Sequence, residues 1–469
     1  MRGKMRTGTI KWVIFAVTSL GNFIGMLDFS SVNIALYKIS QAFGLSVSAV
    51  QWIMLSYQII LTSLLTFFGR LGDMVNRRKL YTCGFLIFGT GACLSYFSVN
   101  FCMLLFARTV QGLGGSILIS NSFSIVSSVF KGRRRGKALG FMGAVTHLAG
   151  MTAPSISGFL MEVFSWRAIF LPSCLVSFLG VFLAARVIPA GYKLKKAPID
   201  VKGTVFLMAG VASLLFMIAE SPAWGIVSAQ TGSSVLLVVF CLFLFVRHEN
   251  RTKAPLVSFN LFVAPAFLFG NLALMVSYLA MYPNTILFPF YSQGVLDNSP
   301  SLTGLLILPF SLFYLITAVS TGTLSPQKRM VTGMILLGAG LFLFSRTGLS
   351  TPAAALVLMQ IVMGVGNAFF QPSVNTAILN ATPKDSTGMA SGILSLFRNT
   401  GIAMGSVISV GIFETYKNYL TEQGNTEKEA LLSSYHFALY CGIGFAFLCL
   451  IFIIKSIRLQ KNKPKEMSA

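Results

Sequence analysis

Long apolar runs separated by short polar loops follow one another along the whole chain. An apolar helix needs about twenty residues to cross a bilayer, and fourteen of the runs are long enough to do so. The pattern therefore predicts fourteen transmembrane helices. Their expected limits are 11–36, 49–69, 79–98, 101–130, 138–162, 166–188, 202–223, 230–248, 264–292, 300–324, 330–347, 352–380, 386–416 and 433–456.

One stretch, residues 105–158, is repeated 252 positions later in the same register and without a gap. Two apolar helices joined by a short polar loop therefore occur twice, which is typical of a transporter built from two similar halves. Helices four and five correspond to helices twelve and thirteen, a shift of eight rather than six. The matching positions are Gly112, Gly114, Gly136, Ala138 and Gly140 with Gly364, Gly366, Gly388, Ala390 and Gly392.

The shift of eight predicts two helices inserted between two six-helix halves. The expected fold is thus an all-α polytopic membrane protein with an N-terminal half at 1–189 and a C-terminal half with a cytoplasmic tail at 261–469. The linker at 190–260, with the two extra helices, joins the halves.

Composition supports a membrane protein over a soluble one. The chain is 55% apolar and only 10% charged, with a mean hydropathy of +0.76, and a soluble chain could not cover so much apolar surface. The net charge of +23 does not indicate nucleic-acid binding, because the basic residues lie in short loops and not on one face of a domain. The seven cysteines lie in apolar stretches and are expected to be free thiols.

The distribution of loop charges predicts the orientation. Basic residues cluster in alternate loops, for example at 131–137 and 193–202, and the loops between them carry few. By the positive-inside rule both termini are cytoplasmic, which requires an even number of spans. We expect a multi-pass monomer in a cell membrane, specifically a bacterial inner membrane, with the lipid bilayer as its surroundings.

Asp28 is the only acidic residue well inside a predicted span. A charge at the bilayer centre costs about 2.5–3.5 kcal/mol on insertion scales. Desolvation favours the protonated form of a buried carboxyl group, so a proton-exchanging role is expected. A structural alternative is a carboxylate held in a local polar network.

Arg108 is an embedded charge in helix four, and Gln111 lies about one turn further on the same face. A buried arginine needs a carboxylate, water or carbonyl partner, and Asp28 is the most economical candidate. The pair is either a proton-coupling site or a purely structural ion pair.

Two further segments, the loop between helices two and three and helix five, are predicted to change conformation. The loop joining helices two and three contains Gly69, Gly72, Asp73, Arg77 and Arg78. Its glycines are expected to permit a tight turn, with Asp73 bonded to a helix N-terminus or to a basic neighbour. The arginines also fit ordinary positive-inside charge.

Helix five combines small residues with a proline, which predicts a bendable helix packed tightly against a neighbour. Its candidate residues are Gly140, Ala153, Pro154 and Gly158.

Arg398 is the embedded charge of the second half and corresponds to Thr146 under the 252-residue offset. Substrate contact and bracing between helices are both open for it. His147 is either a packing residue or a proton carrier.

These residues together resemble the major facilitator superfamily, specifically its fourteen-helix drug:proton antiporter branch, over essentially the whole chain. Asp28 with 32–36 is similar to that branch's helix-one motif, although Tyr37 replaces the usual proline. Asn33 of this motif is a candidate for lining a substrate cavity, together with Gln111, His147 and Arg398. The loop at 69–79 is similar to the cytoplasmic motif, with Met74 and Asn76 in place of arginine and glycine.

The remaining motifs lie on helices four and five. Arg108, Gln111, Gly112 and Gly114 match the helix-four motif that the family associates with proton coupling. Helix five is similar to the antiporter motif, with small residues where glycines are usual, at Ala149, Ala153 and Ser157. The second-half loop at 325–329 has diverged from its motif.

The resemblance implies a secondary exporter of small amphipathic molecules or drugs, driven by the proton motive force without a bound cofactor or metal. A dedicated metabolite or antibiotic exporter and a proton-coupled importer remain alternatives of the same fold. A non-transporting sensor is the alternative from another class. No Walker-type loop or soluble domain suggests an enzyme.

Overall fold

The computed structural model of the chain describes residues 7–130, 133–189, 200–224, 228–252, 257, 259–320, 325–382 and 387–461. Every regular element within these residues is a helix.

Fourteen α-helices occur in the described ranges. They are α1 Thr7–Phe43, α2 Val47–Met74, α3 Arg77–Tyr96, α4 Phe101–Val129, α5 Arg133–Val163, α6 Leu171–Val187, α7 Val201–Trp224, α8 Ala229–Glu249, α9 Pro265–Phe290, α10 Pro300–Ser320, α11 Pro326–Phe344, α12 Ala353–Asn380, α13 Thr387–Glu422 and α14 Glu427–Lys461. Short 3-10 turns at Trp166–Phe170 and Phe259–Val263, and a π turn at Tyr291–Val295, continue into or out of them.

Eleven helices in the described part of the chain are long and apolar enough to cross a membrane. Helices α3, α5 and α11 are not among them. In α3 and α11, which are only 20 and 19 residues long, any span-length window includes basic residues of the first turn. A multi-span membrane protein follows directly, while the count of fourteen spans stays a prediction.

Several helices extend beyond their expected limits. The first helix, Thr7–Phe43, exceeds the expected 11–36, and the last, Glu427–Lys461, exceeds the expected 433–456. Their ends are polar, and helical hydrogen bonding can continue into water where an apolar pattern no longer marks it.

Polar side chains define where several helices begin. Ser46, Asn76 and Asn100 precede α2, α3 and α4, and each accepts a hydrogen bond from a backbone N–H in the first turn. Such caps satisfy donors that the helix itself leaves open and typically contribute about 1 kcal/mol each.

The chain forms two compact units. The first contains residues 1–212, 237–254 and 299–304, and the second contains 213–236, 255–298 and 305–469. The predicted boundaries at 189 and 260 stay a prediction.

Related helix pairs make up each unit. In the first unit α3 packs on α4 and α6, and α1 packs on α5 and α6. In the second unit α11 packs on α12 and α14, and α9 packs on α13 and α14. The same pairs therefore recur eight helices later, as the sequence repeat does.

Candidate functional site

Three side chains from two helices form a closed triangle inside the first unit. The Arg108 Nη1 donates to Asp28 Oδ2 at 2.5 Å and to Gln111 Oε1 at 2.6 Å. The Gln111 Nε2 donates to Asp28 Oδ1 at 2.7 Å. All three residues are 0% exposed. Both carboxylate oxygens of Asp28 are thus held by donors from α4.

Glycines on α4, the helix of Arg108 and Gln111, allow it to pack closely on α2 and α3. A Cβ atom at Gly112 would lie 2.7 Å from the carbonyl oxygen of Tyr57 on α2. A Cβ atom at Gly114 would lie 2.7 Å from the Cα atom of Phe88 on α3. Both distances are too short for any side chain, so α4 packs backbone to backbone against its neighbours.

The guanidinium of Arg108 is also held by α2. Its Nε donates to the carbonyl oxygen of Ile53 at 3.2 Å, and its carbon lies 4.6 Å from the centre of the Tyr57 ring. Its second terminal nitrogen, Nη2, is buried without a hydrogen-bond partner among the described residues. The arginine is therefore bound on several sides yet keeps one donor unused.

Each charge of the triangle depends on the other for compensation. Removing one partner of a buried ion pair destabilises a protein by about 3–5 kcal/mol, because the other charge is left without compensation. While Arg108 contacts Asp28, neither side chain is left as an isolated buried charge.

The proline of α5 is connected to α1. A proline has no N–H, so Pro154 cannot donate to the carbonyl of Gly150 four residues earlier. The Ser30 hydroxyl on α1 donates to that carbonyl oxygen at 3.4 Å. Ala149 and Ala153 pack against Leu27 beside this bond, so the small residues of α5 do lie against a neighbouring helix.

The other face of α5 contacts residues 299–304 of the same unit. A Cβ atom at Gly158 would lie 2.8 Å from the carbonyl carbon of Pro300. The exposed carboxylate of Glu162 accepts hydrogen bonds from Ser299 and Ser301. The end of α5 is thereby joined to the first turn of α10.

The prediction that Gly69 and Gly72 form a tight turn is wrong. Both lie inside α2, which continues to Met74, and the chain turns at Val75 and Asn76 instead. Gly72 is needed for packing, because a Cβ atom there would overlap with the side chain of Asn121 on α4. The helix continues because its backbone bonds are retained and Asn76 caps the next helix.

The arginines of this segment bond to backbone carbonyls. The Nε of Arg77 donates to the carbonyl of Gly72 at 3.2 Å, and the Nε of Arg78 donates to that of Ile188, after α6, at 2.6 Å. The side chains of Asp73 and His147 and the surroundings of Gly140 lie outside the described part of the structure.

The remaining sequence candidates lie apart from the triangle. Asn33 is buried on α1, but five residues turn a helix by about 500°, which places it about 140° around the axis from Asp28. Arg398 lies on α13 in the second unit, and its Nη2 approaches the Ser395 hydroxyl at 3.5 Å.

Tyr57 and the Ile53 carbonyl are contacts of Arg108 that the sequence did not single out. The only sequence signal for Tyr57 is that it is a tyrosine in an apolar helix, which is weak evidence for a role. The contact made by the Ile53 carbonyl leaves no signal in the sequence, because every residue has a backbone carbonyl. No group of three or more His, Cys, Asp or Glu side chains in the described ranges could hold a metal ion.

The chain is similar to known proteins over most of its length. The family model for the Major Facilitator Superfamily matches residues 18–406. The chain is 27% identical to the riboflavin transporter RibZ of Clostridioides difficile, over 98% of this chain and 99% of that protein. It is 28% identical to the multidrug resistance protein Stp of Mycobacterium tuberculosis, over 86% and 77%.

A solved structure of a peptide transporter POT in complex with sulfate has the same fold. It superimposes with a TM-score of 0.70 and covers 97% of this chain and 99% of its own, at 15% identity.

Proposed function

Because this chain belongs to the major facilitator superfamily of transporters, we propose that it is a proton-coupled exporter of small amphipathic compounds or drugs. Transport would proceed by alternating access, with protons moving inward as substrate moves outward. Relatives named as a multidrug resistance protein and as a lincomycin resistance protein support this choice of substrate type.

The observation that carries the proposal is the buried triangle of Asp28, Arg108 and Gln111. An ion pair wholly removed from water contributes little to stability over an apolar replacement. A membrane protein that retains one inside a span has a use for the charge. Proton exchange is the use that a single titratable carboxylate can serve.

Each residue has a distinct role in the proposed cycle. Asp28 accepts and releases the proton, and Arg108 holds the carboxylate in its charged form while the two are in contact. Gln111 keeps both partners aligned through one bond to each. A conformational change that separates α1 from α4 would let a proton replace the guanidinium, and closing would expel it.

The proposal includes a definite setting. The protein would cross a bacterial inner membrane fourteen times as a monomer, with both termini in the cytoplasm, in the manner of the drug:proton antiporter branch. Energy would come from the proton motive force, with no bound cofactor.

A reconstituted assay tests coupling directly. Proteoliposomes with an imposed pH gradient should extrude an amphipathic fluorescent compound when the wild-type protein is present. Asp28→Asn should abolish gradient-driven transport, because the amide cannot exchange a proton.

The matched control is Asp297→Asn, since Asp297 is an exposed acid paired with Lys428 far from the triangle in sequence. It should transport at the wild-type rate. Wild-type transport by Asp28→Asn under a proton gradient alone would show that the carboxylate is structural.

A second candidate is a dedicated metabolite transporter, including an importer of a vitamin. The match to a riboflavin transporter over nearly the full length of both chains favours it. Riboflavin uptake in right-side-out vesicles, compared with uptake in everted vesicles, distinguishes import from export. Accumulation only in right-side-out vesicles would replace the export proposal.

A further inference from the structure

Arg398 is a partly exposed cation of the second unit without a carboxylate partner among the described residues. Among the described residues no Asp or Glu lies within ion-pair distance of it. Helices α9 to α12 contain no acidic residue at all. The nearest acid along α13 in the described part is Glu414, sixteen residues and therefore about 24 Å away.

The position of Arg398 makes this imbalance unusual. It lies about 17 Å from the start of α13, within the apolar span Ala390–Glu422, and is only partly exposed. In the first unit Arg108 is neutralised by Asp28. Charges inside spans are normally paired or face a substrate path, so Arg398 has the properties of a ligand-binding cation.

Polar aromatic side chains lie around it. The hydroxyl of Tyr278 on α9 hydrogen-bonds with the side chain of Gln371 on α12 and lies within electrostatic range of Arg398. Tyr314 on α10, 7% exposed, is in electrostatic range of both Tyr278 and Arg398. We call Tyr278, Tyr314, Gln371 and Arg398 the Arg398 cluster.

Two glycines of α13 allow this helix to pack closely on α9, the helix of Tyr278. A Cβ atom at Gly401 would lie 2.7 Å from the carbonyl oxygen of Met275, and one at Gly405 would lie 2.9 Å from that of Tyr278. Both approaches require α13 to lie directly on α9. Arg398 is one turn before Gly401, so it belongs to the part of α13 that packs on α9.

The chemistry of the cluster selects one kind of ligand. A guanidinium presents a planar set of donors that matches a carboxylate or a carbonyl group. Tyrosine rings offer flat apolar faces, and the amide of Gln371 supplies a further polar contact. An organic cation would meet an uncompensated positive charge here, which opposes its binding.

We infer that the Arg398 cluster is a substrate subsite for planar aromatic compounds that carry a carboxylate or a conjugated carbonyl group, and that it discriminates against organic cations. The inference rests on the proposed transport function, of which it names the substrate class.

Equilibrium binding to the purified full-length protein tests this without any gradient. The probes are naphthalene-2-carboxylate, naphthalene-2-carboxamide and (naphthalen-2-yl)methylammonium, which share one ring system and differ in charge. Isothermal titration calorimetry of the wild-type protein should show the carboxylate binding at least about tenfold tighter than the ammonium compound. The carboxamide should fall between them.

Variants locate the preference. Arg398→Gln should weaken carboxylate binding at least about tenfold. Arg398→Lys should retain part of the affinity, because lysine keeps the charge but lacks the planar pair of guanidinium donors. Arg346→Gln removes an exposed arginine of the same unit, which stacks on Phe342, and should bind like the wild type.

Equal binding of the carboxylate and the ammonium compound by the wild-type protein would overturn the inference. So would unchanged carboxylate binding by Arg398→Gln. The comparison of wild-type probes does not depend on whether any variant folds. Loss of proton coupling with the anion preference intact would reject the proposed mechanism alone, whereas proton-driven transport without that preference would reject only the subsite.

Discussion

The Ser30 hydroxyl bonds to the carbonyl oxygen of Gly150, the acceptor that Pro154 leaves without a helical donor. The bond, at 3.4 Å, joins α1 two residues after Asp28 to the proline-containing part of α5. A bend of α5 at the proline would therefore displace α1 close to the Asp28 carboxylate. This link offers a physical route from a bend in α5 to the proposed coupling site.

The bond predicts a dependence between positions 30 and 154. Ser30→Ala should lower stability by about 0.5–1.5 kcal/mol, because the Gly150 carbonyl loses its donor. In a Pro154→Ala background the same change should cost much less, since the new N–H bonds to Gly150. A double-mutant cycle on unfolding in detergent measures the coupling. Additive effects would show that the Ser30 bond contributes nothing.

Gly72 and Asn121 predict a second interdependent pair. A Cβ atom at position 72 would lie 2.8 Å from the Asn121 Cγ and still closer to its Oδ1. Gly72→Ala should therefore destabilise the protein by about 1–3 kcal/mol through overpacking. Asn121→Ala in the same chain should relieve part of that cost. Thermal unfolding, monitored by size-exclusion chromatography, measures the stability of the single and the double variant.

Gly69 supplies the matched control for that experiment. The nearest atom to a Cβ atom there is the Ser120 Cβ at 3.8 Å, an ordinary contact. Gly69→Ala should stay within about 0.5 kcal/mol of the wild type. If Gly69→Ala and Gly72→Ala destabilised the protein equally, the effect would not depend on the contact with Asn121. That result would contradict the packing role of Gly72.

The ion pair predicts that stability and coupling can be separated. Arg108→Ala should destabilise the protein by about 3–5 kcal/mol, because Asp28 is left buried and unpaired. Adding Asp28→Asn should recover much of the stability but none of the gradient-driven transport. Arg108→Lys should retain partial transport, because it keeps the charge and loses the planar fork. Restored transport in the double variant would contradict the coupling role.

The charge distribution predicts the topology. A cysteine-free protein with Asn425→Cys, in the exposed segment between α13 and α14, should react with a membrane-impermeant thiol reagent added outside intact cells. A cysteine at 131–137 should react only after permeabilisation. Native cysteines must be removed first, since Cys83 and Cys102 are exposed. Labelling at 131–137 from outside intact cells would show that the predicted orientation is wrong.

Much of the fold could be predicted from the chain alone because the physics behind it is local. A run of about twenty apolar residues requires a helix in a bilayer, where every backbone group must be bonded internally. The charges at Asp28 and Arg108 were conspicuous for the same reason, since an embedded charge is costly wherever the helix packs. Helix ends were less predictable because capping and polar extensions leave no apolar pattern.

The contacts between helices were decided only by the tertiary structure. Asp28 and Arg108 are 80 positions apart, and no periodicity within either helix specifies which faces meet. The roles of Gly72 and Gly112 depended on Asn121 and Tyr57, which belong to other helices. Sequence therefore determined which residues are costly to embed. The rotation and close approach of the packed helices determined how those residues are satisfied.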